Sequence, residues 1–566
     1  MRRFFRWLSL ISILIAGIFC LIVPARDTQA QIEGDSVLVV GTVFDTQNQP
    51  MADVQVNLNN PGGDKVISET TTQPDGSYVL PVRRQIPPVL SLQFERAHFQ
   101  NTTVQLDSSQ MKQLQAGETV AMPEVELERH INSAFWISAA IFILVLALIA
   151  TGVVHNTLAA LLGTALIFAF SYLGAAIRPG FFIFTFRGAL GYVDWNVIFL
   201  IMGMMIVIAA VERTGIFQWL AFFAYRASGG RTWLLVAILM LATGIASAFL
   251  DNVTTMLLMT PMTIQIAMAM GINPLALLMP EVFASNVVGI STLVGTPTNI
   301  LIGSFAVISF NDFLKNLTPG VLLALLGLIL YSEWIYRKDL QTVGEVSPEL
   351  LERLEERAQI TQPDHLKKAG WVGAGMLILF VTGEHFNLLP SVTALLGATA
   401  LLIWMQPDIN EMIESVDWTT LVFFITLFIV VGSIQEVGLI SLIATLIGRV
   451  FGQNLVLTIL AIIWLSAILS TVVANIPFTA AMLPVISFLT ASMPAASSKV
   501  LYYSLSIGSA MGGNGSLIGA SANMVTAGIS ERAGHTITYA YFLRKGFPAL
   551  LITVALATIW ILIRFL

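Results

Sequence analysis

The chain has 566 residues and a single cysteine, Cys20, which lies inside the first apolar segment. One thiol allows no internal disulfide and argues against Cys-based metal sites and thiol catalysis. Charge is also scarce: Asp, Glu, Lys and Arg make up 11% of the residues, against about 25% in an average soluble domain. Hydrophobic residues make up 56%, so most of the chain must sit in lipid. The net charge of −6 is small, and Lys and Arg fall mainly between apolar runs, leaving no basic patch suited to nucleic acid. No group of His, Cys or acids has metal-ligand spacing, and no nucleophile–base constellation is visible. A phosphate-cradling Gly-x4-Gly-Lys-Ser/Thr loop is missing as well, which argues against ATP-driven pumping by this chain. These absences exclude the common enzyme classes and imply no cofactor beyond Na+ or H+ as a coupling ion.

Residues 1–30 read as a signal peptide or an uncleaved signal anchor. Arg2, Arg3 and Arg6 precede an apolar stretch from Leu8 to Val23, and Thr28-Gln29-Ala30 offers small residues before a possible cut. Either outcome places the next segment outside the cytoplasm. Residues 36–129 then change character. Ser36 to Phe44 is rich in β-formers, Val54 to Leu58 and Leu90 to Phe94 alternate with period two, and Pro74-Asp75-Gly76 is a turn before Ser77 to Leu80. A further short strand is expected around Val104. This spacing of strands and turns predicts a small β-sandwich.

A membrane span needs about 20 apolar residues. Apolar runs begin at Phe135 to Val153, Leu158 to Leu173 and Val197 to Val211. They continue through Trp233 to Met270 and Leu275 to Val307 and end at Val321 to Tyr336. The segment 337–368 is a charged linker, and a second series follows to Leu566. The two series match in order. Ala160-Leu161-Leu162-Gly163 recurs as Ala394-Leu395-Leu396-Gly397, and Val193-Asp194-Trp195 as Val416-Asp417-Trp418. Asn252 and Pro261 recur as Asn475 and Pro484; Leu293, Gly295 and Asn299 recur as Leu517, Gly519 and Asn523. The expected organisation is therefore a polytopic α-helical protein with transport repeats at 132–336 and 369–566. If Trp233 to Met270 is a re-entrant hairpin, each repeat crosses five times and the second copy is inverted. If that stretch spans twice instead, the parity is the same. The Lys- and Arg-bearing linker belongs on the cytoplasmic side.

Four polar breaks interrupt the apolar sequence at matching places: 251–255, 289–299, 474–479 and 512–523. Backbone without helix at membrane depth survives only when buried in protein or lining a wet cavity. Helix N-termini at such breaks favour anions, and unwound carbonyls favour cations. The groups offered to a solute are Asn252, Thr254, Thr296, Thr298, Asn299, Asn475, Thr479, Asn514, Ser516, Ser521 and Asn523. Ser and Thr at helix interfaces also serve simple packing, Ser291, Ser516 and Thr255 among them. Asp251 lies deep in apolar sequence, where charge is costly, and is the first candidate for ion coupling; Glu281, in Met279-Pro280-Glu281-Val282, is the second, with a place near the interface as its alternative. Asp194 and Asp417 start helices and read as N-caps.

These breaks give the chain its resemblance to a known family. Phe249 to Thr255 with Thr260-Pro261, Asn475-Ile476-Pro477-Phe478-Thr479, and Gly512 to Asn523 resemble the ion transporter superfamily. The likeness is to its arsenite-permease/NhaD-type antiporter branch and the related P protein. It implies a scaffold plus a transport domain, two hairpins and two broken helices, elevator-type motion and a homodimer. Two positions depart from that branch: Ala474 replaces an acid, and Gly295-Thr296-Pro297-Thr298-Asn299 looks nearer to sodium/dicarboxylate and sulfate symporters. The N-terminal segment, with Gly41-Thr42-Val43 and Asp75-Gly76-Ser77-Tyr78, resembles carboxypeptidase regulatory-like, transthyretin-like domains. The expected function is ion-coupled secondary transport of a small anion or oxyacid of the arsenite, sulfate or dicarboxylate class. A sodium/proton antiporter and a transport-silent sensor using the β-domain are the alternatives. The expected setting is the plasma (inner) membrane, in contact with lipid and the solute, with the β-domain on the extracytoplasmic side.

Overall fold

The computed structural model describes residues 36–46, 50–60, 66–83, 87, 89–341, 352, 355–356, 358–440, 442–443 and 454–566. The signal segment, part of the charged linker (342–351, 353–354 and 357) and residues 441 and 444–453 lie outside the described residues. The chain divides into two compact units, Met1–Ile131 and Asn132–Leu566.

Among the described residues of the first unit, eight strands form two four-stranded sheets. Strands β1 (Ser36–Asp45), β2 (Gln55–Asn59), β3 (Val66–Thr71) and β4 (Ser77–Arg83) are followed by β5 (Ser91–Glu95) and β6 (Thr102–Gln105). The short β7 (Val120–Ala121) and β8 (Val125–Leu127) complete the set. One sheet has the order β4-β1-β7 with β8 also on β1; the other runs β3-β2-β5-β6. Alternation sends every second side chain inward. Val39 faces Leu80 across the first sheet, and Val56 faces Phe94 across the second; all four are fully buried. β3 was not expected, because Val-Ile-Ser-Glu-Thr-Thr carries few apolar residues and pairs along an edge. At the turn, Asp75 accepts hydrogen bonds from the Ser77 amide at 2.9 Å and its hydroxyl at 2.6 Å. These bonds hold its carboxyl below the ordinary carboxylate value.

The second unit is helical, and nine helices among the described residues are long and apolar enough to cross a membrane. The first repeat contains α1 (Ser133–Thr151), α2 (Asn156–Phe168), α3 (Trp195–Glu212) and the short α4 (Ile216–Ser228). Then come α5 (Thr232–Phe249) and α6 (Asn252–Ala269), α7 (Leu275–Val288) and α8 (Pro297–Ala306), and α9 (Phe310–Ile335). The second repeat supplies α10 (Pro363–Thr382), α11 (Pro390–Met405) and α12 (Trp418–Glu436). It continues with α13 (Leu455–Leu469) and α14 (Asn475–Ser492), α15 (Val500–Gly512) and α16 (Ser521–Arg532), and α17 (Tyr539–Phe565). Helix starts follow local chemistry: Asn132, Asp194 and Asp417 accept from backbone amides of the first turns of α1, α3 and α12.

Hydrogen bonds fix the relative direction of matching helices. Near the start of α9, the Asn316 carbonyl accepts from the indole of Trp560, near the end of α17, at 2.7 Å. Near the end of α9, the Tyr331 hydroxyl donates to the carbonyl of Lys545, near the start of α17, at 2.7 Å. The last long helices of the two repeats are therefore antiparallel, which is the signature of inverted topology. Thr157 and Thr164 of α2 donate in step to the Thr419 and Thr426 carbonyls of α12, each at 3.1 Å, so those helices run parallel.

Candidate functional site

The polar breaks are shorter than their sequence suggests, because the polar residues at each are mostly the first turn of the next helix. Between α5 and α6 only Leu250 and Asp251 leave the helix, and Asn252 is already helical. Asn299 lies in the first turn of α8, Asn475 starts α14, and Asn523 lies in the first turn of α16. The irregular backbone proper is Gly289 to Thr296 and Gly513 to Ala520, each opening with a short 3-10 turn.

The two breaks are built on one plan. Asn299 donates to the carbonyls of Ile290 at 2.9 Å and Thr292 at 2.7 Å. Asn523 donates to the carbonyls of Gly513 at 2.7 Å and Ser516 at 2.9 Å. Each asparagine thereby closes its own loop and satisfies carbonyls that unwinding has freed, which are costly if left unpaired. The loops are also bolted to the preceding helix pair. The Thr292 hydroxyl donates to the Ala248 carbonyl, and the Ser516 hydroxyl to the Thr471 carbonyl. Ser247 donates to the Ser285 carbonyl at 3.1 Å, and Ser470 to the Ser509 carbonyl at 2.6 Å. Glycine is required where backbones meet: a Cβ on Gly295 would lie 2.6 Å from the Ser247 carbonyl oxygen, and one on Gly519 would lie 2.9 Å from that of Gly513.

A residue that sequence reasoning missed joins the halves. Asn286, buried on α7, accepts from the Asn252 amide at 2.8 Å. It donates to the side-chain oxygens of Asn514 and Asn523, both at 2.9 Å. The Asn514 amide returns to the Phe283 carbonyl at 3.2 Å. Asn299 is tied across the repeats separately, accepting from Ser506 of α15 at 2.6 Å. Asn286 escaped notice because it lies outside the four polar breaks and has no polar mate in the second repeat, whose register puts Ala510 opposite it. An isolated Asn in such a helix was the available signal.

The remaining expected residues divide. Thr296 caps α8 through the Asn299 amide and shares a 2.9 Å hydrogen bond with Thr298. Thr479 donates to the Asn475 carbonyl at 2.7 Å. Asn475 is buried at the mirror position of Asn252, but its side chain does not join the Asn286 network among the described residues. Ser521, half-buried, starts α16. Asp251 caps α6: one oxygen accepts from the Val253 and Thr254 amides at 2.8 and 2.9 Å, the other from the Thr254 hydroxyl at 2.6 Å. Glu281 is fully buried, and one oxygen accepts from Thr243 at 3.2 Å and Thr263 at 3.1 Å.

Buried side-chain amides from both repeats, Asn252 and Asn286 from the first and Asn514 and Asn523 from the second, therefore meet beside the second unwound segment. The citrate transporter family, CitMHS, matches residues 145–508. The chain belongs to that family. This membership makes it a multi-pass membrane transporter within the ion transporter superfamily, not an enzyme. The family match takes in Asn252, Asn286 and Asn299 and stops short of Asn514 and Asn523.

Relatives extend further along the chain. The 46 kDa membrane protein of Mycobacterium leprae is 35% identical, covering 76% of this chain and 99% of that protein. An uncharacterized transporter of Mycobacterium tuberculosis is 36% identical over 76% of this chain and 98% of its own length. The human P protein is 31% identical, covering 85% of this chain and 66% of that protein. Among solved structures, the YdaH transporter of Alcanivorax borkumensis matches with a TM-score of 0.51 at 14% identity, covering 76% of this chain and 97% of that one. That likeness shows a common fold.

Proposed function

We propose that this member of the citrate transporter family is an ion-coupled secondary transporter of a small anion or oxyacid. The class includes arsenite, sulfate and dicarboxylates, and the family's own description adds citrate. One observation carries the reading: Asn286 ties the α5–α6 hairpin to the second-repeat break through Asn252, Asn514 and Asn523. Asn286 and Asn523 spend both amide hydrogens on the bonds named, whereas Asn252 and Asn514 each keep one, a donor for an anion without a fixed charge. The N-termini of α6, α8, α14 and α16, which begin at the breaks, add positive dipole ends. Thr254, Thr296, Thr298, Asn299, Asn475, Thr479, Ser516 and Ser521 complete the proposed lining, and Asp251 and Glu281 are the acids available for coupling to Na+ or H+. In this reading α5–α9 and α13–α17 move together against α1–α3 and α10–α12, elevator fashion, in a homodimer. The β-unit lies on the extracytoplasmic side of the plasma membrane.

Purified protein in liposomes, offered citrate, sulfate, dicarboxylates and arsenite under an imposed sodium or proton gradient, tests this. Accumulation of one of them by the wild type, lost in Asn286→Ala and Asn523→Ala, is the expected result. No accumulation, together with proton movement evoked by sodium alone, would support the sodium/proton antiporter instead.

A further inference from the structure

Glu281 is a buried acid with one oxygen unused. Its first carboxylate oxygen takes the Thr243 and Thr263 hydroxyls, one from each arm of the α5–α6 hairpin. Its second oxygen is buried and has no hydrogen-bond partner among the described residues. Among the described residues, no charged group on the elements packed on α7 is bonded to Glu281. α5 and α6 carry charge only at their ends, at Arg231 and Asp251. α9 brings Asp312, Lys315, Tyr331 and Glu333, and α15 brings Tyr502 and Tyr503. α16 brings Glu531 and Arg532; α17 brings Tyr539, Tyr541, Arg544, Lys545 and Arg564. None of these bonds to Glu281, whose partners are the two threonines. A bare carboxylate so placed has nothing to balance the hydration it has lost. A proton on the free oxygen balances it and needs no space, whereas sodium needs a cage of several oxygens. The 460 Å3 cavity found elsewhere in this unit, beside Asn196 and Lys499, is not lined by Glu281, Thr243 or Thr263.

The position links this acid to the solute site. One turn along the same helices, Ser285 donates to the Ser247 hydroxyl at 3.0 Å, and the next residue on α7 is Asn286. Glu281 and Asn286 are thus about 7.5 Å apart along the helix axis. The second repeat has no equivalent. The register that sets Asn523 against Asn299 puts Leu505 opposite Glu281, and that of the hairpins puts Ser466 opposite Thr243 and Ile486 opposite Thr263.

We propose that Glu281 is the proton-carrying site of the transport cycle, and that the second repeat contributes none. The assignment rests on the transport reading above and deepens it: of the two acids, Asp251 serves the helix end and Glu281 the coupling. Carboxylate and proton combine on one face of the membrane and separate on the other, with no other bond made or broken.

Two measurements test it. Proton-gradient-driven accumulation in liposomes should fall about tenfold in Glu281→Gln, the size of an ordinary coupling free energy between sites. Solute counterflow, which moves no net proton, should survive, and Glu281→Asp should recover part of the accumulation. Ser466→Ala, at the mirror position of Thr243, should accumulate like the wild type. Accumulation by Glu281→Gln equal to the wild type overturns the proposal, and so does loss of counterflow together with accumulation. The second readout needs no transport: infrared difference spectra of the purified full chain should contain a protonated-carboxyl band that is missing from Glu281→Gln. An identical band in both overturns the assignment. A band that disappears, in a protein that moves none of the solutes, upholds the proton site and removes the transport reading.

Discussion

At the scale of single residues, energy is concentrated where buried amides have few alternatives. Asn286 uses both of its side-chain polar groups on other asparagines. Cutting it to alanine strands the Asn252 amide and the side-chain oxygens of Asn514 and Asn523, all buried. Each orphaned group costs about 1–3 kcal/mol, so Asn286→Ala should lower the unfolding midpoint in detergent as well as abolish uptake. A thermal shift assay beside the uptake assay checks both. Asp251 makes a different contribution. As an N-cap with every contact inside its own turn, its loss to alanine should cost about 1 kcal/mol, seen as a modest thermal shift. A collapse of the fold would instead show Asp251 holding more than its helix end.

Elements meet at the breaks through backbone, which sets the tolerance of the loops. Gly295 and Gly519 sit where the loop of a broken helix comes closest to backbone carbonyls. Alanine at either position forces the two apart, and overpacking of this kind costs about 1–3 kcal/mol. Gly295→Ala and Gly519→Ala should therefore express poorly or melt early, whereas Gly152→Ala, with open space around it but a left-handed backbone, should lose less. Similar losses at all three would mean that close packing at the breaks is not what demands glycine. The two breaks are alike in construction but unlike in content. Asn299 and Asn523 each close their own loop through two backbone carbonyls but accept from different partners, Ser506 and Asn286, while Asn286 and Glu281 belong to the first half alone. Duplicated sequence has kept the loop closure twice and placed the amide hub and the buried acid once.

For the whole molecule, the β-unit has its own closed core, in which Val39, Val56, Leu58, Leu80 and Phe94 are fully buried. Residues 36–131 made alone should give a soluble, cooperatively folding domain, checked by circular dichroism during heating. A molten or insoluble fragment would show that it depends on the membrane unit. The inverted halves set a further expectation. With Cys20 replaced by serine the chain has no thiol, so single cysteines report sidedness. Ile131→Cys should react with an impermeant thiol reagent from outside intact cells, and Lys338→Cys only after the membrane is opened. The reverse pattern would turn the proposed orientation over without touching the fold.

Membrane residence, the duplication and the position of the breaks were fixed by composition and by the matched runs. Hydrophobic length and the cost of unpaired backbone in lipid act locally and leave their mark on any stretch of sequence. Asn299 and Asn523 were legible for the same reason, since each closes the loop beside it. The Asn286 hub, the bond from Ser506 to Asn299 and the threonine bracket on Glu281 were decided by tertiary structure alone. Their partners are distant in the chain and come together only when helices of both repeats, or both arms of a hairpin, pack side by side. A lone polar residue in an apolar helix gives no sign of which neighbour will satisfy it, because that choice belongs to the packing and not to the spacing.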